Sequence, residues 1–599
     1  MSYIHAWKAE TITLISLVLT LTFIIACGAA APEQETSPTS APGVSPVDAT
    51  QPTATSLPVA EATTAPAAPE VVKPAGTLNV GQKELGSYDG HPKLVVNPAL
   101  FVSQTIPLGE GLVYSDINRE IQPWLAESWS ISEDFTTWTF KLRRGVQFHK
   151  GYGEMTSEDV AWSYVEGWAN NEKHVRYADF NSFWKAEGDS VTTPDDYTVV
   201  VNTGTPLAEA VVLENWGLTP GGSANWVASK RQSDEMGEEA ASKSPALTGS
   251  WEFAEERPAQ YWKMRAVENH WKQTPYFAEL VFQEIPEESS RIAGFQTGNL
   301  DTFLMAFDTI PLVEEVPGAQ LLSIPGAIET GVQFYGNYLV QAEAGEAPDA
   351  YDSELPWVSA SSDVNSPEWD QARKARQALS IAIDRQVLVD TLLGGFGRPT
   401  VMRFWSNHEY QLEGRQWEFN PDRAQELLAE AGYPDGFRIT LTPSLRGAPA
   451  EVEACEAIAT MWGDIGVDVN FQRIPYETLR PQIVGKTYAG ATCHATGMRV
   501  VTVGAQPQLT TEASFNHGAT HPWLEEQMPK IAGAVDPQDL DRFEGELGKW
   551  LFDHALTNIG LYAIDVVWPV GPRIEEWTEH VKTKDMRNIN GYEFIRPRQ

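Results

Sequence analysis

Between Pro123 and Val165 the hydrophobic period of the chain changes, and this restricts the folds it can enter. Trp138, Phe140 and Leu142 alternate with Thr139 and Lys141. A period of two puts one set of side chains on a single face of a half-buried strand. Gly145 interrupts the alternation, and Val146 and Phe148 resume it. Thr156-Ser157-Glu158-Asp159 then reads as a capping box, whose acidic residue is placed to satisfy a free amide at a helix start. Strand, break, strand and helix in one short span predict a mixed α/β fold.

The second half of the chain carries the same alternation. Ser366-Pro367 forms an N-cap and first-turn pair, and Ala375, Ala378, Leu379, Ala382, Ile383 and Leu388 follow at helical spacing as far as Gly394-Gly395. Asn420-Pro421 opens another helix, with Ala424, Leu427, Leu428 and Ala431 on one face and Gly432 as its stop. A further helix around Glu451–Trp462 runs into the alternating strand Gly466–Phe471. Units of this kind build a sheet covered by helices. Order begins near Ala75–Val80, a first strand, and no internal repeat or second low-complexity linker follows.

The N-terminal region reads differently. Lys8 precedes Thr11–Ala26, an apolar run of 16 residues, short of the roughly 20 that span a bilayer and suited to a signal-peptide core. The run ends in Ile24-Ile25-Ala26-Cys27-Gly28, which resembles the bacterial lipobox, so residues 1–27 are expected to be a lipoprotein signal with Cys27 as the lipid-bearing residue. Residues 28–75 are rich in Pro, Ala and Thr and poor in large apolar side chains. Such a segment cannot offset its ordering entropy and is expected to be a disordered tether. A net charge of −38 argues against nucleic acid and against anionic membrane surfaces as partners. With Cys27 lipidated, only Cys455 and Cys493 remain. A disulfide framework is excluded, while one bridge outside the cytoplasm and two separate thiols both stay open.

Segments along the body resemble the family-5 extracellular solute-binding proteins, the peptide- and nickel-type receptors of ABC importers. Pro123–Trp129 with the strand after it, Glu110-Gly111-Leu112-Val113-Tyr114 and Thr248-Gly249-Ser250-Trp251 are similar to stretches of that family. So are Glu268-Asn269-His270-Trp271 with Pro275, Arg291 through Gly298–Asp301, Arg373–Arg398, Asn420–Pro434 and Met461–Val469. They fall in family order over roughly residues 76–570. The resemblance implies an α/β, two-lobed periplasmic-binding-protein-like fold of type II, with an extra subdomain inserted in the first lobe. By analogy lobe I takes 76–112, 200–325 and 560–599, the inserted subdomain 113–199, and lobe II 326–559.

It also implies a monomeric, extracytoplasmic receptor, lipid-anchored at the cell membrane in a periplasm or on an outer face. Such a receptor captures a peptide or similar small solute and delivers it to permease subunits coupled to an ATPase. An oligosaccharide receptor of the same fold, and an anchored glycan-acting enzyme, are the alternatives. No GxSxG elbow, HExxH helix, Walker loop or dinucleotide fingerprint is present. The expectation is therefore a binding protein without cofactor, metal or catalytic residues. In peptide-binding relatives a lobe II loop supplies an aspartate for the ligand's α-amino group. The corresponding segment here, Tyr488–Arg499, has no acid, and none occurs between Lys486 and Glu512. Tyr488, His494, Thr496, Met498 and Arg499 are the candidate ligand residues, with Trp405 as a cleft wall. Trp216, Trp226 and Trp568 are equally eligible as aromatic walls.

Overall fold

The chain divides into two units, Met1–Pro69 and Glu70–Gln599. The computed structural model describes residues 72–86, 90–96, 102–115, 121–174, 177, 190–215, 217–219, 223–445, 448–513, 515–577 and 591–598. The signal segment, Cys27, nearly all of the tether and Trp216 lie outside them. Among the described residues no helix is long and apolar enough to cross a membrane.

Two sheets organise the body. The first has five strands in the order Trp251–Arg257, Tyr261–Ala266, Glu279–Glu284, Thr77–Gln82 and Thr302–Phe303. The first strand therefore starts at Thr77, and it lies parallel to both of its neighbours. The second sheet has six strands: Gly397–Pro399, Ile559–Val570, Gln320–Tyr335, Gly490–Gly497, Arg438–Pro443 and Asp468–Phe471. A separate four-stranded sheet joins Ala126–Ile131, Thr137–Leu142, Thr198–Asn202 and Val191–Asp195. In it Trp138, Phe140 and Leu142 are buried on one face, as the period of two requires. This is the two-lobed α/β fold.

The helix starts follow the caps read from sequence. The Asp159 carboxylate accepts from the Thr156 amide (3.0 Å) and hydroxyl (3.1 Å), and from the Lys230 amide (3.1 Å), tying this helix start to that of the distant helix Lys230–Met236. Ser366 Oγ accepts from the Trp369 amide at the head of helix Pro367–Ile381. Asn420 Oδ1 does the same for Arg423 at the head of Pro421–Glu430. The first of these two helices is held to Glu451–Asp464 by the Trp462 indole, which donates to the Leu379 carbonyl (2.8 Å).

The antiparallel pair Gln320–Tyr335 and Ile559–Val570 runs from one sheet region to the other. At one end Leu321 and Val567 pack with Phe295, Leu300 and Phe303 of the first sheet region. At the other, residues 328–335 pair with 490–497 in the second sheet. Between Ile324 and Ile328 the register shifts, because Pro325, Gly326 and Ala327 stand opposite the single residue Asp565. Gly326 has φ +56°, a conformation open to glycine at little cost. Away from these strands, other contacts join distant segments of the chain. Helix Glu209–Asn215 packs on Val501–Gly504, and the Ala208 amide donates to the Ala532 carbonyl at 2.7 Å.

Candidate functional site

Pairing along the second sheet sets one buried polar face. Residues with facing partners share a side of the sheet, and the sides alternate. Glu329 pairs with Thr496, Gly331 with His494 and Gln333 with Thr492, so these side chains lie on the same face. The opposite face carries Val332 and Cys493, and here Cys493 is bridged to Cys455 of helix Glu451–Asp464 with Cα atoms 5.8 Å apart. The segment Tyr488–Arg499 is thus mostly a central strand, Gly490–Gly497, and not the loop that its resemblance implied. All eight residues of that strand are buried. Their small side chains (Gly490, Ala491, Thr492, Ala495, Gly497) suit a strand enclosed on both faces.

The chain following strand Gly397–Pro399 covers the polar face. The Glu329 carboxylate accepts from the amides of Phe404 (2.8 Å) and Ser406 (3.4 Å). A Cβ built on Gly331 would lie 2.6 Å from the Ile559 carbonyl, so the neighbouring backbone calls for glycine, and Cδ of Arg403 lies 3.4 Å from the same point, in ordinary contact distance. Arg403 Nη2 reaches His517 Nε2 at 3.4 Å. The His517 ring stacks on Phe404 and meets Phe515 edge-on, and Phe515 also lies against His494. Gln333 Nε2 donates to Asn558 Oδ1 at 3.3 Å. Burial first, and then the guanidiniums of Arg403 and Arg499, hold the His517 imidazole well below the usual histidine range, so it is neutral.

The structure brings together His494, Thr496, Met498 and Arg499 from the sequence-derived set. Met498 sits by the crossing turn: its amide donates to the Ala327 carbonyl (3.1 Å), and its sulfur accepts from Asn407 (2.9 Å). Arg499 is half-buried. Tyr488 lies in a different pocket, edge-on to Tyr335, with its hydroxyl bonded to Thr442 Oγ1 (2.9 Å) and the Ala491 carbonyl (2.8 Å). Trp405 is wholly buried in an apolar cluster with Trp369, Leu412 and Leu547, and its indole donates to the Glu544 carbonyl. Trp226 and Trp568 are wholly buried too. Sequence reasoning missed Glu329, Gln333, Arg403, His517 and Asn558. Only Glu329 and Gln333 left a signal, as polar residues alternating with Ile328, Thr330 and Val332. Among the described residues there is no cluster of three or more potential metal ligands.

Comparison with known proteins bears on the family and the fold. Residues 120–500, more than half of the chain, match the bacterial extracellular solute-binding proteins, family 5. The chain is 27% identical over 372 residues to heme-binding protein A of Haemophilus influenzae, covering 59% of this chain and 62% of that protein. It is 22% identical over 498 residues to a glutathione-binding protein of Salmonella choleraesuis, covering 81% and 85%. A dipeptide-binding protein of Escherichia coli is 26% identical over 422 residues, covering 65% and 70%. Among solved structures, a periplasmic binding protein of Helicobacter pylori in complex with a peptide superposes with TM-score 0.65 at 20% identity, over 86% of this chain and 98% of that one. A substrate-binding protein of Listeria monocytogenes gives 0.68 at 17%, over 86% and 99%. These relatives are binding proteins and not enzymes, and the chain belongs to the family-5 bacterial extracellular solute-binding proteins.

Proposed function

We propose that the chain is the extracytoplasmic receptor of an ABC importer, capturing a peptide or similar small solute between its lobes and passing it to the permease and, through that, to the ATPase. The observation that carries this reading is the polar face on the second sheet, where Glu329, His494, Thr496 and Arg403 lie enclosed beside the crossing strands. A buried polar face suits a solute that replaces water with fixed hydrogen bonds. Dipeptide- and glutathione-binding relatives favour a peptide-like solute. Trp226, Trp405 and Trp568 are enclosed in cores, which removes them as stacking platforms for sugars. His494, Thr496, Met498 and Arg499 meet the solute in this reading, while Tyr488 and Trp405 support the strand and the covering loop.

The lobe assignments go with it: 76–112, 200–325 and 560–599 for lobe I, 113–199 for the inserted subdomain and 326–559 for lobe II. Ligand contacts made with both lobes at once exist only when the lobes are closed, so the solute shifts the population toward closure. Cys27 carries the lipid that holds the receptor at the membrane. Equilibrium dialysis of the purified body against a casein hydrolysate, read by mass spectrometry with parallel small-angle scattering, tests the reading. Retained peptides together with a smaller radius of gyration are expected. No retention and no compaction would sink it. In cells, Cys27→Ser is expected to release the protein from the membrane fraction.

A further inference from the structure

Phe404 stands in the covering loop at φ +78°, in the left-handed region that a bulky side chain seldom enters. Two sets of contacts hold it there. Its amide donates to the Glu329 carboxylate at 2.8 Å, on the polar face of the second sheet. Its ring stacks on His517, and the Arg403 guanidinium lies 4.4 Å from the ring centre. The same ring fills the place of a side chain at Gly504, where a Cβ would collide with Phe404 Cδ1 and lie 2.6 Å from Cε1. Gly504 ends the segment Val501–Gly504, which packs on helix Glu209–Asn215. A second tie joins the same two stretches through helix Pro537–Asp553. The Trp405 indole donates to the Glu544 carbonyl at 3.2 Å, and the Glu544 carboxylate accepts from the Thr502 amide at 3.0 Å.

We propose that Phe404 is a positioning residue that couples the candidate ligand face to lobe closure, through its ring seated on Gly504. The inference rests on the receptor reading above, in which Glu209–Asn215 belongs to lobe I and Val501–Gly504 to lobe II. A backbone conformation this costly persists only where its surroundings over-determine it. Here they hold the amide on the side of the polar face and the ring on the side of the lobe contact. A close-packed ring does not move alone. A solute that shifts Glu329 or His517 therefore shifts Phe404, and Gly504 with it. Glycine would adopt the same torsion without strain, so the strain comes with the presence of the ring.

The test measures retention of casein-hydrolysate peptides by the purified protein, small-angle scattering with and without them, and the thermal midpoint. Phe404→Ala removes the ring and keeps the strain, whereas Phe404→Gly removes both, so the glycine variant is expected to melt higher than the alanine variant. Both are expected to retain peptides about tenfold less than the wild type, with a larger ligand-bound radius of gyration. Retention that instead follows the thermal midpoint, or wild-type retention and compaction in both, overturns the inference while leaving a peptide receptor standing. Gly504→Ala is expected to weaken retention about tenfold where the ring is present, and by about twofold at most in the Phe404→Ala background, where the methyl has room. Equal losses in the two backgrounds, or no loss with the ring present, overturn the coupling. Should the Phe404 variants not fold, Gly504→Ala alone decides: weaker retention at an unchanged thermal midpoint supports the inference, and wild-type retention overturns it. No retention by the wild type overturns the receptor reading and this inference with it.

Discussion

The Asp565 carboxylate accepts the Gly326 amide at 2.8 Å, at the point where the two crossing strands lose their ladder. On either side of this point backbone pairing holds the strands in register, from Gln320↔Val570 to Ile324↔Val566 and again from Ile328↔Ile564. Three residues opposite one leave amides that a regular ladder would have paired, and Asp565 satisfies one of them. On the closure reading proposed above, this short unladdered stretch is the expected hinge.

Asp565→Ala removes that acceptor. The expected cost is about 1 kcal/mol for a single lost hydrogen bond, and Asp565→Asn, which keeps a side-chain oxygen, is expected to cost less. The larger effect is expected in the lobe equilibrium. Ligand-free Asp565→Ala should show a broader distance distribution in small-angle scattering than the wild type. An unchanged distribution would show that the carboxylate does not restrain the crossing.

Cys455 and Cys493 close a loop of sequence separation 38 between the helix and the strand whose other face holds His494. Loop-closure entropy for that length gives about 4 kcal/mol of stabilisation. Reductant is therefore expected to lower the thermal midpoint of the wild type, and to leave unchanged that of a Cys455→Ser, Cys493→Ser double variant. Equal sensitivity of the two proteins would rule the bridge out as a stabilising element.

The crossing strands, the caps and the disulfide differ in how far the sequence exposes them. Caps are local: Ser366, Asn420 and Asp159 act within a few residues, so their spacing is readable. The alternation of Trp138, Phe140 and Leu142 is local as well. The candidate ligand face is not. Arg403 and His517 are 114 residues apart, and Gln333 and Asn558 are 225 apart. Each is unremarkable in its own segment and acquires a role only through sheet pairing. The loop expected at Tyr488–Arg499 is an implication of the resemblance, although Ala491, Cys493 and Ala495 alternate there with Thr492, His494 and Thr496; with side chains this small the period of two is a weak apolar signal. Trp405 drew attention by type, yet a large indole in a chain of this size more often fills a core, as it does here.

Three buried imidazoles set an acid limit. Burial is the leading cause that holds His91, His149 and His554 at about 4, against an ordinary value of 6.5. The folded state keeps them neutral, so between these values the unfolded chain binds more protons. Their contribution is complete above pH 6.5 and is lost as pH falls toward 4. Burial raises the carboxyls of Asp301 and Glu544, which act in the opposite sense, so the difference from a variant is the clean measure. His149 Nε2 bonds the Gly249 carbonyl at 2.8 Å, and Gln can keep that donor. His149→Gln is expected to lose less of its thermal midpoint than the wild type between pH 6.5 and pH 4. Parallel pH profiles would show that this imidazole does not limit acid stability.

The Ala208 amide donates to the Ala532 carbonyl at 2.7 Å, joining the chain just before helix Glu209–Asn215 to the end of helix Pro522–Ala532. In the proposed lobe assignment the two residues belong to lobe I and lobe II, so on that reading the bond is expected to form only when the lobes are closed. Ala208→Pro removes the donor, at a position next to a helix start where proline is otherwise tolerated. The affected segment packs on Val501–Gly504, close behind Arg499, so closure and ligand contact should weaken together. A population argument gives the size: a closed state that is about 1 kcal/mol less stable binds its ligand roughly fivefold more weakly where closure limits affinity. The variant is therefore expected to show weaker retention of peptides and a larger ligand-bound radius of gyration, with its thermal midpoint nearly unchanged in the absence of ligand. Wild-type affinity together with wild-type compaction would remove this contact from the closing mechanism.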